Sequence, residues 1–474
     1  MQWLDQQLDS LSQAYLGGIA VDRVATVVSV LLSYLLSLVY QRIPVSRPQI
    51  RHMYSMISTL VLFGMVQSQI LGLVHLGVGS LIVYTVVCLL DARSRMMPLI
   101  VFLLAMVHLS FSQLRRQRHE TEGQVDFDYT GAQMIFVIKV TSLAFCIHDG
   151  TLKREEMSSY QRSNALDGVP GITEYLGYVF FFPGFAVGPA FEMAAYRRMV
   201  AFDIDSTGIG RVQKRQINGR AVGALLAGVF WMVFYVLVGG RVSFMQCVSS
   251  PAFLQRGPLG RSLWMMAAGL SARSAYYAAW KLSEGACVLA GLGFQGVDAE
   301  GKVQWSSVAN VHIWGVEFGT SLKQLVDSWN VGTNTWLRHH VYLRLVPKGS
   351  GRAQGWATVV TFCVSAWWHG FYPGYYLTFV CGALASTAAR TLRRTLRPRA
   401  LALAGDAGSW VMPVYNAAGW LLSVYSLNFI AAPFIVLGWQ ESLMVWRNNY
   451  FALPMGIVVV QVLLGGALKK KKQL

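Results

Sequence analysis

Charge is scarce in this sequence. Asp, Glu, Lys and Arg make up 13% of its 474 residues, about half the roughly 25% carried by water-soluble domains. None occurs between Arg352 and Arg390. That absence excludes an ordinary soluble enzyme. Acidic groups are scarcer than basic ones, 23 against 40, which gives a net charge of +17. The basic groups gather at Arg115–Arg118, Arg197–Arg198, Lys214–Arg215, Arg390–Arg399 and Lys469–Lys472, as expected for loops facing the cytosol and anionic headgroups. No basic soluble domain exists to hold nucleic acid, so a nucleic-acid partner is not expected. The six cysteines form no C-x-x-C pair, which argues against a disulfide framework or a zinc site. H-x-x-x-H and H-x-x-H-H boxes are missing, as are G-x-x-x-x-G-K-[ST] and G-x-S-x-G. Di-iron oxidation, ATP-driven transport and nucleophile-elbow hydrolysis thus lose their usual marks. The first 21 residues lack a basic start followed by a short apolar core, so no cleaved signal is expected.

What the sequence has in place of charge is apolar length. A span needs roughly 20 apolar residues. Val24–Gln41, Met53–Leu90 (two spans), Met96–Leu114, Ala221–Gly240, Ala353–Ala389 (two spans), Ala407–Gln440 and Asn448–Leu468 qualify, and Gly131–Ile147 and Ser262–Trp280 are weaker because Lys139 and Arg273 interrupt them. The expected fold is therefore all-α, a polytopic membrane protein with about ten or eleven transmembrane helices, forming one domain over residues 1–474. Asp149-Gly150 reads as a turn, Gln295–Trp305 as a hydrophilic loop, and Arg390–Arg399 as the separator before the final spans. In Phe180–Glu192 (FFFPGFAVGPAFE) two prolines and two glycines break any straight helix, and broken backbone at membrane depth must be buried in protein or line a cavity. The basic end, 469–474, is expected in the cytosol, where Lys471 and Lys472 have the spacing of a dilysine retrieval signal.

The chain is organised around residues 328–379. Ser328–Arg344 (SWNVGTNTWLRHHVYLR) read as one helix puts Asn330, Thr333, Asn334, Leu337 and Val341 on one side. It is too polar for lipid and too aromatic for a plain loop, and fits a helix lining a funnel or lying at the interface, anchored by Trp329, Trp336 and Tyr342. Inside the uncharged run stands His369, followed by Gly370 and Pro373-Gly374 and surrounded by Trp367, Trp368, Phe371, Tyr372, Tyr375 and Tyr376. An ionisable residue at membrane depth is a functional-site candidate, although a core histidine bound to a carbonyl is the plainer alternative. Aromatic walls favour uncharged imidazole, the form able to take a proton from a hydroxyl. An asparagine amide nearby can donate to an oxyanion. His312 and Glu317, five apart, match the H-x-x-x-x-D box of soluble-type glycerolipid acyltransferases only faintly, and Cys363 falls on a different helix face from His369.

Two motifs, WN-x-x-T-x-x-WL-x-x-x-VY (Trp329–Tyr342) and WHG-x-x-PGYY-x-x-F (Trp368–Phe379), resemble those of the membrane-bound O-acyltransferase superfamily. DYTGAQM (Asp128–Met134), Phe180–Glu192 and VYLRLVPKG (Val341–Gly349) point to its lysophospholipid acyltransferase branch, with fungal broad-specificity members most similar. The resemblance implies a tunnelled helical fold in the endoplasmic reticulum membrane, with acyl-CoA entering from the cytosol and lysophospholipid from the bilayer. It implies His369 as general base and Asn330 as its polar partner, with no bound cofactor and no metal in the reaction. Trp329, Thr333, Trp336, Arg338, Tyr342, Arg344, Trp368 and Tyr375 become candidates for substrate contact. Arg338, Arg344, Lys348 and Arg352 are candidates for CoA phosphates. Asp149 and Glu317 resemble acidic positions important in this branch, with a structural role as the alternative. Rival readings are an acyltransferase for diacylglycerol, sterol or protein, and a transporter using His369 for protons. The transporter lacks paired broken repeats and further intramembrane charge.

Overall fold

The computed structural model describes residues 6–7, 9–10, 21–122, 128–201, 211–298, 300, 303–305, 308–346, 355–405 and 410–470. Apolar windows become helices because a backbone in hydrocarbon can satisfy its own hydrogen bonds only that way or in a closed barrel. Among the described residues, each window identified in the sequence falls mainly on helix. Among the described residues, six helices have the length and composition to cross a membrane: Val21–Gln41, Ile70–Leu89, Met96–Thr121, Thr130–Asp149, Lys214–Val238 and Val411–Val436. A seventh candidate is the pair Trp439–Asn448 and Ala452–Leu464, bent by 73°. The difference from ten or eleven windows has physical causes. Gly355–His369 has only 15 residues, about 22 Å at 1.5 Å per residue, which is short of a full crossing. Pro48–Thr59 continues as a π-helix, Leu60–Val66, and breaks where Ser68 adopts φ 55°.

The chain forms two compact units. The first comprises Met1–Val233, Tyr277–Asn310 and Thr335–Arg344. Its centre is the helix Thr130–Gly150, most of which is buried. Asp128 starts that helix by accepting from the Thr130 N–H (2.8 Å) and hydroxyl (2.5 Å), while its other oxygen meets Arg116 at 2.9 Å. Lys139, 1% exposed, is accommodated by donating to the Tyr178 carbonyl at 2.9 Å, at the end of the helix Ile172–Val179. The Phe191 ring lies 4.4 Å from its ammonium, a cation–π arrangement. Asp149 and Gly150, expected as a turn, are instead the last two residues of this helix, and the turn follows at Thr151; Gly150 ends the helix where the Leu166 backbone leaves no room for a Cβ.

Phe180–Glu192 is irregular, as expected, with a single 3₁₀ turn at Phe182–Gly184, a cis Gly188-Pro189 bond and φ +86° at Gly188. Its freed carbonyls find partners: Ser283 donates to the Pro183 carbonyl at 2.6 Å and also to that of Gly188, and Thr59 donates to that of Phe180 at 2.6 Å. Where a loop was expected at Gln295–Trp305, a short antiparallel hairpin pairs Phe294 with Trp305 and Val297 with Val303. The Phe294 and Trp305 rings meet edge-on at 6.2 Å across the two strands, an aromatic cross-strand pair that the polarity of the stretch did not suggest.

The second unit comprises Phe234–Tyr276, Val311–Asn334 and Leu345–Leu474. Phe244, Phe253, Met265, Phe429 and Trp446 build its core. Arg390–Arg399 is not a separator: the helix Pro373–Ala404 runs through it, Pro398 included. Its 32 residues extend about 48 Å, beyond the roughly 30 Å of hydrocarbon, so the arginine-rich half can lie outside while remaining helical. Gly374 lets this helix start against the turn at Leu437: its N–H donates to the Leu437 carbonyl at 2.8 Å, and a Cβ there would collide with the carbonyls of Pro433 and Leu437.

Candidate active site

His369 is the last residue of the helix Gly355–His369. Gly370 follows with φ 131°, a conformation open to glycine. The next helix begins at Pro373, a residue suited to a first turn. The imidazole is thus held at the break between two helices. Its Nδ1 donates to the Ser365 carbonyl at 2.7 Å. A carbonyl only accepts, so in the neutral ring the proton sits on Nδ1 and Nε2 keeps its lone pair. Rings of Trp368, Phe434, Phe379 and Tyr375 surround it at centroid distances of 4.7, 5.0, 5.1 and 5.7 Å. Trp368 and Tyr375 are buried. The histidine is therefore both carbonyl-bound, the plainer alternative from the sequence, and left with a free basic nitrogen.

Asn330 lies in the same unit. It is half-buried and has φ 43°, between the helices Leu322–Ser328 and Val331–Trp336. Asparagine tolerates this left-handed conformation better than most residues with a Cβ. The single helix expected over Ser328–Arg344 is accordingly not formed. It breaks at Asn330, runs as α-helix to Trp336, then turns π-helical over Leu337–Tyr342. The π-turn changes the side-chain phase, so the face drawn from Asn330 to Val341 does not persist. Trp329 stands edge-on to Tyr276 at 5.5 Å, and Thr333 is buried.

Several other candidates are occupied by packing. Trp336, 1% exposed, donates from Nε1 to the Thr141 hydroxyl at 2.9 Å and stacks on Phe102. Asp149 receives both terminal nitrogens of Arg344, at 2.7 and 2.6 Å, together with the Gln161 amide at 2.8 Å. Glu317 receives Arg273 through Nε and Nη2, both at 2.8 Å, and its backbone carbonyl accepts from Trp420 at 2.7 Å. Arg273 further donates to Asn428 at 2.5 Å. These bidentate pairs give both acidic residues the structural occupation that was their alternative role. Arg338 is exposed and Tyr342 half-buried. Lys348, Arg352, Lys471 and Lys472 lie outside the described residues.

The sequence signal for Arg273 was available, since an arginine within an apolar window demands a buried partner; its carboxylate 44 residues onward was not readable. Asp149→Asn should lower the stability of the purified protein by about 1.5–3 kcal/mol, the usual worth of hydrogen bonds to a charged group, measured by thermal unfolding in detergent. Unchanged stability with lost acyl-CoA binding would move Asp149 from scaffold to substrate.

Many apolar helices, with a carbonyl-bound imidazole at the break between two of them, define a polytopic membrane protein. The model of the MBOAT, membrane-bound O-acyltransferase family, matches residues 119–429, and the chain belongs to that family. It is 32% identical over 463 residues to the lysophospholipid acyltransferase of Schizosaccharomyces pombe, covering 96% of this chain and 88% of that one. Its identity with the lysophospholipid acyltransferase of Saccharomyces cerevisiae is 32% over 441 residues, covering 88% and 70%. Lysophospholipid acyltransferase 1 of Arabidopsis thaliana is 32% identical over 351 residues, 72% of each chain.

Proposed function

We propose that the protein transfers a fatty acyl group from acyl-CoA to the free glycerol hydroxyl of a lysophospholipid, in the endoplasmic reticulum membrane with its C-terminus in the cytosol. The observation that carries the mechanism is the Nδ1 bond to Ser365, which leaves Nε2 of His369 unprotonated. Nε2 takes the proton of the hydroxyl as its oxygen attacks the thioester carbonyl. The Asn330 amide donates to the oxyanion that forms. The tetrahedral intermediate collapses, the C–S bond breaks, and the CoA sulfur leaves with the proton returned by His369. Each step uses a group of this chain, and the products are phospholipid and free CoA. Support for the acceptor comes from the relatives named as lysophospholipid acyltransferases in fungi and plants, and from the motifs shared with that branch.

Purified protein given labelled acyl-CoA and, in separate reactions, lysophospholipid, diacylglycerol, sterol or an acceptor peptide tests the reading directly. Product with lysophospholipid is expected; product only with another acceptor would replace the proposal. The backbone of Asn330 supplies a finer test. Asn330→Gly keeps φ 43° accessible while removing the amide. It should reduce turnover by about 10²-fold, the scale of one oxyanion donor. Full activity in that variant would mean that Asn330 serves only the bend.

A further inference from the structure

We infer that Cys146, Glu192 and His340 form a binding site for a divalent transition cation of the zinc type, in the first unit of the chain. One donor atom from each of the three lies within 4.8 Å of the other two. All three donors lie in that unit, but far apart in sequence: Cys146 on the Thr130–Gly150 helix, Glu192 just before the helix Met193–Val200, and His340 in the π-helical turn Leu337–Tyr342. The missing C-x-x-C spacing argued against a zinc site because such a set leaves no local spacing to read.

The hydrogen bonds inside this cluster leave His340 poorly served. His340 is 2% exposed, and its Nδ1 has no partner. Its Nε2 points into the cluster, 3.4 Å from Glu192 Oε1 and 3.3 Å from Tyr160 Oη. Both distances exceed the ordinary 2.7–3.2 Å range. Tyr160 spends its own proton on Glu192 Oε1 at 2.5 Å. A buried imidazole is thus left without a bond of normal length on either nitrogen, a costly state. Cys146 Sγ stands 3.6 Å from Glu192 Oε2. Two ligand bonds of 2.0–2.3 Å at a tetrahedral angle separate their donors by roughly 3.3–3.8 Å. His340 Nε2 stands at such a separation from one Glu192 oxygen, 3.4 Å from Oε1, and Cys146 Sγ from the other, 3.6 Å from Oε2, so the carboxylate lies between the two donors. Thiolate, imidazole and carboxylate together suit Zn²⁺ over the harder Mg²⁺ or Ca²⁺. Tyr160 Oη or a water would complete four-coordination. On binding, the Cys146 thiol loses its proton to solvent. The ring of His339, stacked on Tyr160 at 3.6 Å, fixes the phenol beside the site. Such an ion would tie two helical segments and a loop together as a structural clamp.

The test uses full-length protein in detergent, stripped with chelator and titrated with Co²⁺. One equivalent should bind and produce a thiolate-to-cobalt charge-transfer band, which Zn²⁺ then displaces. Cys146→Ser should abolish that band, and His340→Ala should weaken binding at least about 100-fold, more than the 10- to 100-fold typical of losing an outer partner. Folded wild-type protein that binds no cobalt, or a band that survives Cys146→Ser, overturns the site. The wild-type titration decides even if the variants fail to fold, and it is read without any acylation assay, so it stands or falls apart from the proposed reaction.

Discussion

Exchange of His369 for asparagine is expected to lower acyl transfer by about 10²- to 10⁴-fold, the usual contribution of a positioned general base, while the protein remains folded. Asparagine places an amide N–H where Nδ1 stood, so the bond to the Ser365 carbonyl at 2.7 Å can be kept. It has no basic nitrogen to replace Nε2. His369→Ala removes the same base but also vacates space among Trp368, Tyr375, Phe379 and Phe434, so it should lose stability as well as turnover. Comparing the two separates chemistry from packing. Rates of product formation under saturating acyl-CoA, with thermal unfolding on the same preparations, decide the matter. An asparagine variant that turns over normally would remove His369 from the reaction.

The second large effect concerns stability. Arg273 and Glu317 are 7% and 15% exposed at their side chains, and the pair is bidentate. Removing one member of a buried pair strands the other charge, at a cost of about 3–5 kcal/mol. Glu317→Gln should therefore yield protein that unfolds many degrees earlier, with the surviving folded fraction retaining its KM for acyl-CoA. Arg273→Met should do the same, since Glu317 and Asn428 would both lose a donor. Replacing both charges, Arg273→Met with Glu317→Leu, should recover much of the loss. If Glu317→Gln instead melts like the parent and loses turnover, the carboxylate belongs to the chemistry.

Legibility in the sequence followed the physics of each signal. Apolar length is local, so each hydrophobic window lands mainly on helix. The helix-breaking residues around His369 are local too, and Gly370 and Pro373 do interrupt the chain there. What the sequence left hidden depends on partners distant along the chain. Asp149 and Arg344 are 195 residues apart, and Arg273 and Asn428 are 155 apart. Nor does a 3.6-residue pattern announce a π-turn, because the same apolar residues fit both windings. Arg390–Arg399 misleads for a simpler reason: charge ends a membrane crossing without ending a helix.

The π-turn at Leu337–Tyr342 carries a lasting consequence. Such a turn fits one residue beyond the α-helical count into a single rotation, so each of its residues advances the winding by less than the roughly 100° of an α-helix. Loss of a single amino acid there would tighten it to an α-helical turn and keep Arg344 turned toward Asp149. This short stretch is therefore the place where a descendant can drop a residue without giving up that ion pair.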